Sequence, residues 1–128
     1  MNPLTAEWVL KAEGDFVTAK RERLARRTPN YDAACFHAQQ MAERYMKAFL
    51  QEHRQPVPRT HDLVELLSLC QPAEPAFALI EPDLKRLNGY AIRVRYPGVI
   101  SGKEEAVHAV RLARVVRRFI RERLGLKE

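Results

Sequence analysis

Apolar residues recur along this chain at helical spacing in four separate stretches. Trp8, Val9, Ala12, Phe16 and Ala19 fall on one face of a first helix, predicted over residues 4–26. Thr5 is its expected N-cap, with Pro3 just ahead. Gly14 lies inside this helix, where it costs roughly 1 kcal/mol against alanine. Asp15 sits beside the apolar stripe, a boundary position that suits a carboxylate paired with a base. Pro29 pushes Thr28 out of helical geometry, and Asn30 is placed to cap a second helix from Tyr31 to about Glu52. Pro56 and Pro58 break the chain into an extended loop. Thr60 is the expected cap of a short third helix, about 61–70, whose core face is Leu63, Val64, Leu66, Leu67 and Cys70. Pro72, Pro75 and Pro82 interrupt the next stretch, leaving room for one helical turn at residues 76–80. A fourth helix is predicted from Pro82 to Arg95, with Asn88-Gly89 as a candidate kink and Tyr96-Pro97-Gly98 as its stop. Ser101 and Glu104 have capping-box spacing for a fifth helix that ends near Leu124, before Gly125.

The predicted fold is therefore all-α: an antiparallel bundle of four long helices plus a short helix, forming one domain over residues 1–128. Five glycines and 46% apolar residues agree with it, since an all-β chain needs more tight turns. No apolar run approaches the length that spans a bilayer. The N-terminal residues lack a charged start followed by an apolar stretch. Cys35 and Cys70 sit in apolar-periodic segments and are expected as buried thiols. These features favour a cytoplasmic protein with no membrane partner.

The second helix carries the strongest candidate site. His37, Gln40, Glu43 and Lys47 are spaced by three, three and four, which lines one side of a helix. Ala34, Cys35, Ala38, Met41, Ala42, Tyr45 and Phe49 take the opposite side. Such a stripe is either a site or a solvated face. A histidine such as His37 can serve as a general base or a phosphate donor, or simply hydrogen-bond across the bundle. Lys47, Arg93 and Arg95 can neutralise phosphate, or pair with Glu43 or Asp15. Tyr96 can stack on a base or close a helix end.

Charge adds a second theme. The net charge is +6, concentrated in Lys20, Arg21, Arg23, Arg26 and Arg27 and again in Arg111, Arg114, Arg117, Arg118, Arg121 and Arg123. Arg111, Arg114, Arg118 and Arg121 repeat at three, four and three, marking a solvated helix face or a dock for RNA or an acidic protein. The histidines and cysteines show no paired ligand spacing, there is no glycine-rich phosphate loop, and neither Ser68 nor Ser101 sits in a nucleophile elbow. No metal or cofactor is expected.

Four blocks in order carry a family resemblance: Ala12-x-x-Asp15-Phe16-x-x-Ala19, then Phe36-His37-Ala38-Gln39-Gln40-x-x-Glu43-x-x-x-Lys47-Ala48, Thr60-His61-Asp62-Leu63-x-x-Leu66, and Arg93-Val94-Arg95-Tyr96-Pro97. From about residue 6 to 124 the chain resembles a HEPN domain (higher eukaryotes and prokaryotes nucleotide-binding). The resemblance implies an all-α bundle that forms homodimers. It implies, for small stand-alone members, a minimal nucleotidyltransferase partner in a toxin–antitoxin-like pair. Some members bind nucleotides; others are metal-independent ribonucleases that use Arg-x4-6-His near the end of the fourth long element. Here that spacing after Arg93 reaches Gly98, Val99 and Ile100, and after Arg95 reaches Ile100, Ser101 and Gly102. None is histidine. Arg54 and His61 match the spacing, but across the proline loop.

Three functions follow as expectations. The first is a non-enzymatic nucleotide-binding and interaction module, a homodimer acting with a nucleotidyltransferase. Its candidate binding residues are His37, Gln40, Glu43, Lys47, Arg93, Arg95 and Tyr96. The second is a ribonuclease with a variant site around His37, Arg93, Arg95 and Tyr96. The third is a structural bundle that binds a partner and no ligand. Dimerisation is expected on one further ground: a narrow bundle has little room to bury both faces of the second and fourth helices.

Overall fold

The computed structural model describes residues 1–93 and 96–128, the side chains of 91–93 excepted. Five α-helices run α1 (Pro3–Leu24), α2 (Tyr31–Glu52), α3 (Leu63–Cys70), α4 (Glu81–Arg93) and α5 (Lys103–Arg123), with a 3-10 turn at Pro75–Ile80 between α3 and α4. No strand occurs among the described residues. The all-α bundle read from periodicity is the fold. No described helix is long and apolar enough to cross a membrane.

α2 is the axis of the bundle. It packs against α1, α3, α4 and α5, and α1 and α2 share the most extensive contact. The two run antiparallel, since the Asn2 amide at the start of α1 donates to Glu52 Oε1 at the end of α2 (3.0 Å). Met41, Tyr45, Met46, Phe49 and Leu50 of α2 are fully buried. The 3-10 turn inserts Phe77 between Phe49 and Phe119, edge-to-face on both sides at 4.8 and 4.9 Å between centroids. Cys35 and Cys70 are both buried thiols with no disulfide between them.

Several helix ends differ from the sequence reading, each because a tertiary contact or a better acceptor competes. Asn2, not Thr5, caps α1: Asn2 Oδ1 accepts from the Leu4 amide, and Thr5 is buried in the first turn. Asp62, not Thr60, caps α3, because a carboxylate at this position also holds Asn88 Nδ2 (3.0 Å). Ser101 is not a cap. Its amide is drawn to Asp32 Oδ1 (2.8 Å), and α5 begins at Lys103 after Gly102. The Asn88-Gly89 pair does not kink α4; Asn88 Oδ1 instead accepts from the Leu63 amide (2.9 Å), tying α4 to α3. Gly125 ends α5 as expected, at φ +73°, with paired bonds from Leu126 N–H to Arg121 O and Gly125 N–H to Glu122 O.

The packing also corrects the reason for expecting a dimer. α2 is enclosed within a single chain. A regular stripe of uncovered apolar residues lies on α1, where Leu10, Val17 and Leu24 are 75%, 47% and 64% exposed at seven-residue intervals. Gly14 shares that stripe, and a Cβ there would meet nothing within 4 Å.

Candidate functional site

The polar stripe of α2 does not form one open face. It divides between two networks, each with a buried carboxylate at its centre. In the first, Asp15 of α1 is buried; its Oδ1 lies 2.8 Å from His37 Nδ1 and its Oδ2 2.8 Å from Arg44 NH1. A carboxylate can only accept, so His37 carries its proton on Nδ1 and, when neutral, leaves Nε2 as an acceptor. His37 and Arg44 are each about one-third exposed.

In the second network Glu43 is central. Its Oε2 accepts from Lys47 Nζ (2.9 Å) and its Oε1 lies 3.0 Å from His61 Nδ1. Glu43 and Lys47 side chains are only 5% and 6% exposed. Lys47 Nζ also lies 5.7 Å from the Trp8 ring centre. Gln39 Nε2 donates to the His61 carbonyl (2.9 Å), which holds the loop before α3 against α2. The Lys47 ammonium therefore meets a carboxylate and a ring inside the protein. Gln40 lies between the two networks and is partly exposed.

Tyr96 is exposed beyond α4. Arg93 ends α4, and Arg95 lies outside the described residues. Asn88 holds Asp62, next to the His61 that meets Glu43 just past the middle of α2, and Ser101 holds Asp32 in the first turn of α2. His37 and Gln40 lie between these two points along α2.

The sequence marks Asp15 as a boundary carboxylate suited to pair with a base, but it does not single out Arg44, Gln39 or the role of His61. The Glu43–Lys47 pair was legible, because glutamate four residues before lysine is a favourable helical spacing. The pairing of Arg44 with Asp15 has no local signal; it crosses from α2 to α1.

A third network joins α1, α2 and α5. Arg117 donates two bonds to Glu13, at 2.7 and 2.8 Å, and Tyr45 Oη also donates to Glu13. Arg121 NH1 donates to Tyr45 Oη (3.0 Å). Arg121 thus turns inward and leaves the expected arginine face, while Arg111, Arg114 and Arg118 stay exposed. The Arg117 hydrogen bonds pull Glu13 below the usual carboxylate range, and they hold Arg117 above its ordinary value. Burial, helped by the Glu13 carboxylate, pushes the Tyr45 phenol up to about 12. Burial raises the Cys70 thiol to about 12 as well.

These two raised groups predict an alkaline loss of stability. The folded chain holds both protons more tightly than the unfolded chain, whose values are 9.0 for the thiol and 10.0 for the phenol. Their contribution is complete below those values and disappears as pH climbs toward 12. The urea midpoint should therefore fall across this window, and less steeply in Tyr45→Phe. A variant with the same slope as the parent would show that Tyr45 does not carry the effect.

A helical bundle that surrounds one axial helix, with that helix ion-paired to its neighbours through buried carboxylates, is the class that fold and site define. The chain belongs to the HEPN domain family, whose model matches residues 5–123. Among solved structures, it is similar to TT1696 from Thermus thermophilus, with a TM-score of 0.78 and 26% sequence identity over 92% of this chain and 96% of that one. None of the curated proteins matches it.

Proposed function

We propose that this HEPN protein is a non-enzymatic nucleotide-binding and interaction module that works as a symmetric dimer beside a minimal nucleotidyltransferase. The observation that carries the binding reading is the arrangement of His37, Gln40 and Arg44 on α2. The His37 and Arg44 side chains are each partly exposed, and both are held by the buried Asp15. Gln40 lies beside them on α2, and Arg93, Arg95 and Tyr96 complete the site in this reading. Asp15 engages one terminal nitrogen of Arg44, and a guanidinium has further donors in a planar fork that suits phosphate. Glu43 and Lys47 neutralise one another and serve in this reading as the floor of the site. Nucleotide binding should be weak and salt-sensitive, because exposed charges are screened. Arg95→Ala should weaken it more than Arg111→Ala, measured by titration calorimetry. Equal effects would assign the binding to the general basic surface.

A second reading, ribonuclease with a variant site, is favoured by one contact. Asp15 orients His37 as a carboxylate orients a catalytic imidazole, leaving Nε2 outward. General acid–base help is worth roughly 10²–10⁴ in rate. The leading reading expects single-stranded RNA to survive stoichiometric protein in the presence of chelator. Rapid degradation that His37→Ala abolishes would establish the enzyme instead.

The dimer is assigned to α1. A helix with apolar residues on both faces buries one face in its own core and offers the other to a second copy. A two-fold axis through Gly14 would set Glu7 against Arg21 and Leu4 against Leu24, with a glycine where the two backbones cross. Light scattering at tens of micromolar should give twice the chain mass. Leu10→Arg combined with Val17→Arg should give the monomer with its helical spectrum intact. A parent that is already monomeric at that concentration refutes the assignment.

A further inference from the structure

At the end of the bundle where α1 closes and α5 begins there is an open cleft of about 510 Å³, lined by Arg23, Leu24, Ala25, Arg26, Tyr31, Lys103 and Val107. The volume lies within the ~300–1,000 Å³ common for small-molecule sites. Three cations from two separate elements line it, and no carboxylate does. Among the described residues none of the three makes an ion pair. Two acids near the cleft in sequence are engaged with backbone amides: Glu22 Oε1 accepts from Asn30 N–H at 3.1 Å, and Asp32 Oδ1 from Ser101 N–H at 2.8 Å. Glu104 and Glu105 belong to the first turn of α5 itself.

Local helix energetics explain only part of this arrangement. Arg23 is in the last turn of α1, where the helix dipole favours a cation. Lys103 is the first residue of α5, where the dipole disfavours one. Like charges across a cleft also repel. A bound anion would relieve both costs. Tyr31 supplies an aromatic ring to the same wall.

We infer that this cleft binds a phosphorylated nucleotide unit, with Arg23, Arg26 and Lys103 on the phosphate and the Tyr31 ring against the base. It is separate from the His37 site: none of its lining residues belongs to that group. The unit can be a free mononucleotide or one residue of an RNA strand, and the chemistry recognised is the same.

The test titrates the full chain with adenosine monophosphate, with a short single-stranded oligoribonucleotide and with inorganic phosphate. It compares Arg23→Gln/Arg26→Gln/Lys103→Gln with a charge-matched control, Arg111→Gln/Arg114→Gln/Arg118→Gln. The cleft variant should lose one nucleotide-binding event, the one that Arg95→Ala keeps, and the salt slope of that event should flatten by about one per cation removed. The control should keep both. Tyr31→Ala should weaken the nucleotide probes roughly 5- to 150-fold and leave inorganic phosphate unchanged. Binding of the mononucleotide, or of the oligonucleotide alone, identifies the source. Equal losses in the cleft and control variants, or nucleotide binding indifferent to Tyr31, would overturn the inference. Arg95→Ala reports on the other site, so the two proposals fail independently.

Discussion

Glu43→Ala should lower the unfolding free energy by about 3–5 kcal/mol, the usual effect of removing one partner from a buried ion pair. The Glu43 and Lys47 side chains are nearly inaccessible, and the Lys47 ammonium has its carboxylate partner at 2.9 Å. Without Glu43 that ammonium is left in a dry position beside the Trp8 ring. Water cannot solvate it there unless the packing of α1 on α2 loosens. The same substitution frees His61 and so slackens the loop that leads into α3. A domain of this kind has only ~5–15 kcal/mol in total, so the variant should unfold far earlier in urea. The reverse experiment separates charge from shape. Glu43→Leu with Lys47→Met removes both charges and keeps most of the volume, and should return close to the parent. If the single variant loses under about 1 kcal/mol, the pair is solvated in solution and the buried geometry is wrong. If the double variant is as unstable as the single, the loss came from packing.

Phe77→Ala should cost about 3–5 kcal/mol, the range for a large aromatic removed from a core. Phe77 has no exposed surface and fills the space between Phe49 and Phe119. Its removal leaves a cavity bounded by two rings and forfeits two edge-to-face contacts, each worth ~0.5–1.5 kcal/mol beyond area burial. Neither neighbour can fill the gap easily, because Phe49 is fixed on α2 and Phe119 on α5. Phe77→Leu should recover about half of the loss. Thermal denaturation of the three proteins checks this order. Equal midpoints for Phe77→Ala and the parent would mean that the 3-10 turn is a surface feature and not a plug.

The case of Phe77 shows where a linear reading stops. The segment from Gln71 to Pro82 reads as a proline-interrupted loop with one helical turn. That turn exists at Pro75–Ile80. Nothing local marks Phe77 as a core residue, since its partners come from helices 28 and 42 positions away in the sequence. The caps show the same boundary. Asn30 caps α2 as read, and Gly125 closes α5 as read, because both act within one turn of their own helix. Ser101 and the Asn88-Gly89 pair do not behave as read. Asp32, distant in the sequence, takes the Ser101 amide, and the α3 terminus takes the Asn88 side chain.

The amino-acid order by itself determined the helical class, the number of long helices, the enclosure of Cys35 and Cys70, and the family. All of these rest on periodicity, on punctuation by proline and glycine, or on residue spacing within single elements, which are properties a chain carries before it folds. The site was legible only as a list. His37, Gln40, Glu43 and Lys47 share one side of a helix in the sequence, but the bundle splits them between Asp15 and Glu43 and buries half of them. Tertiary structure alone decided that Arg44 pairs with Asp15, that Arg121 turns inward to Tyr45, and that Arg23, Arg26 and Lys103 share one cleft. The physical reason is that charge pairing is set by distance in space. A side chain on one helix meets its partner only after the core has drawn two helices together, and no spacing along the chain encodes that approach.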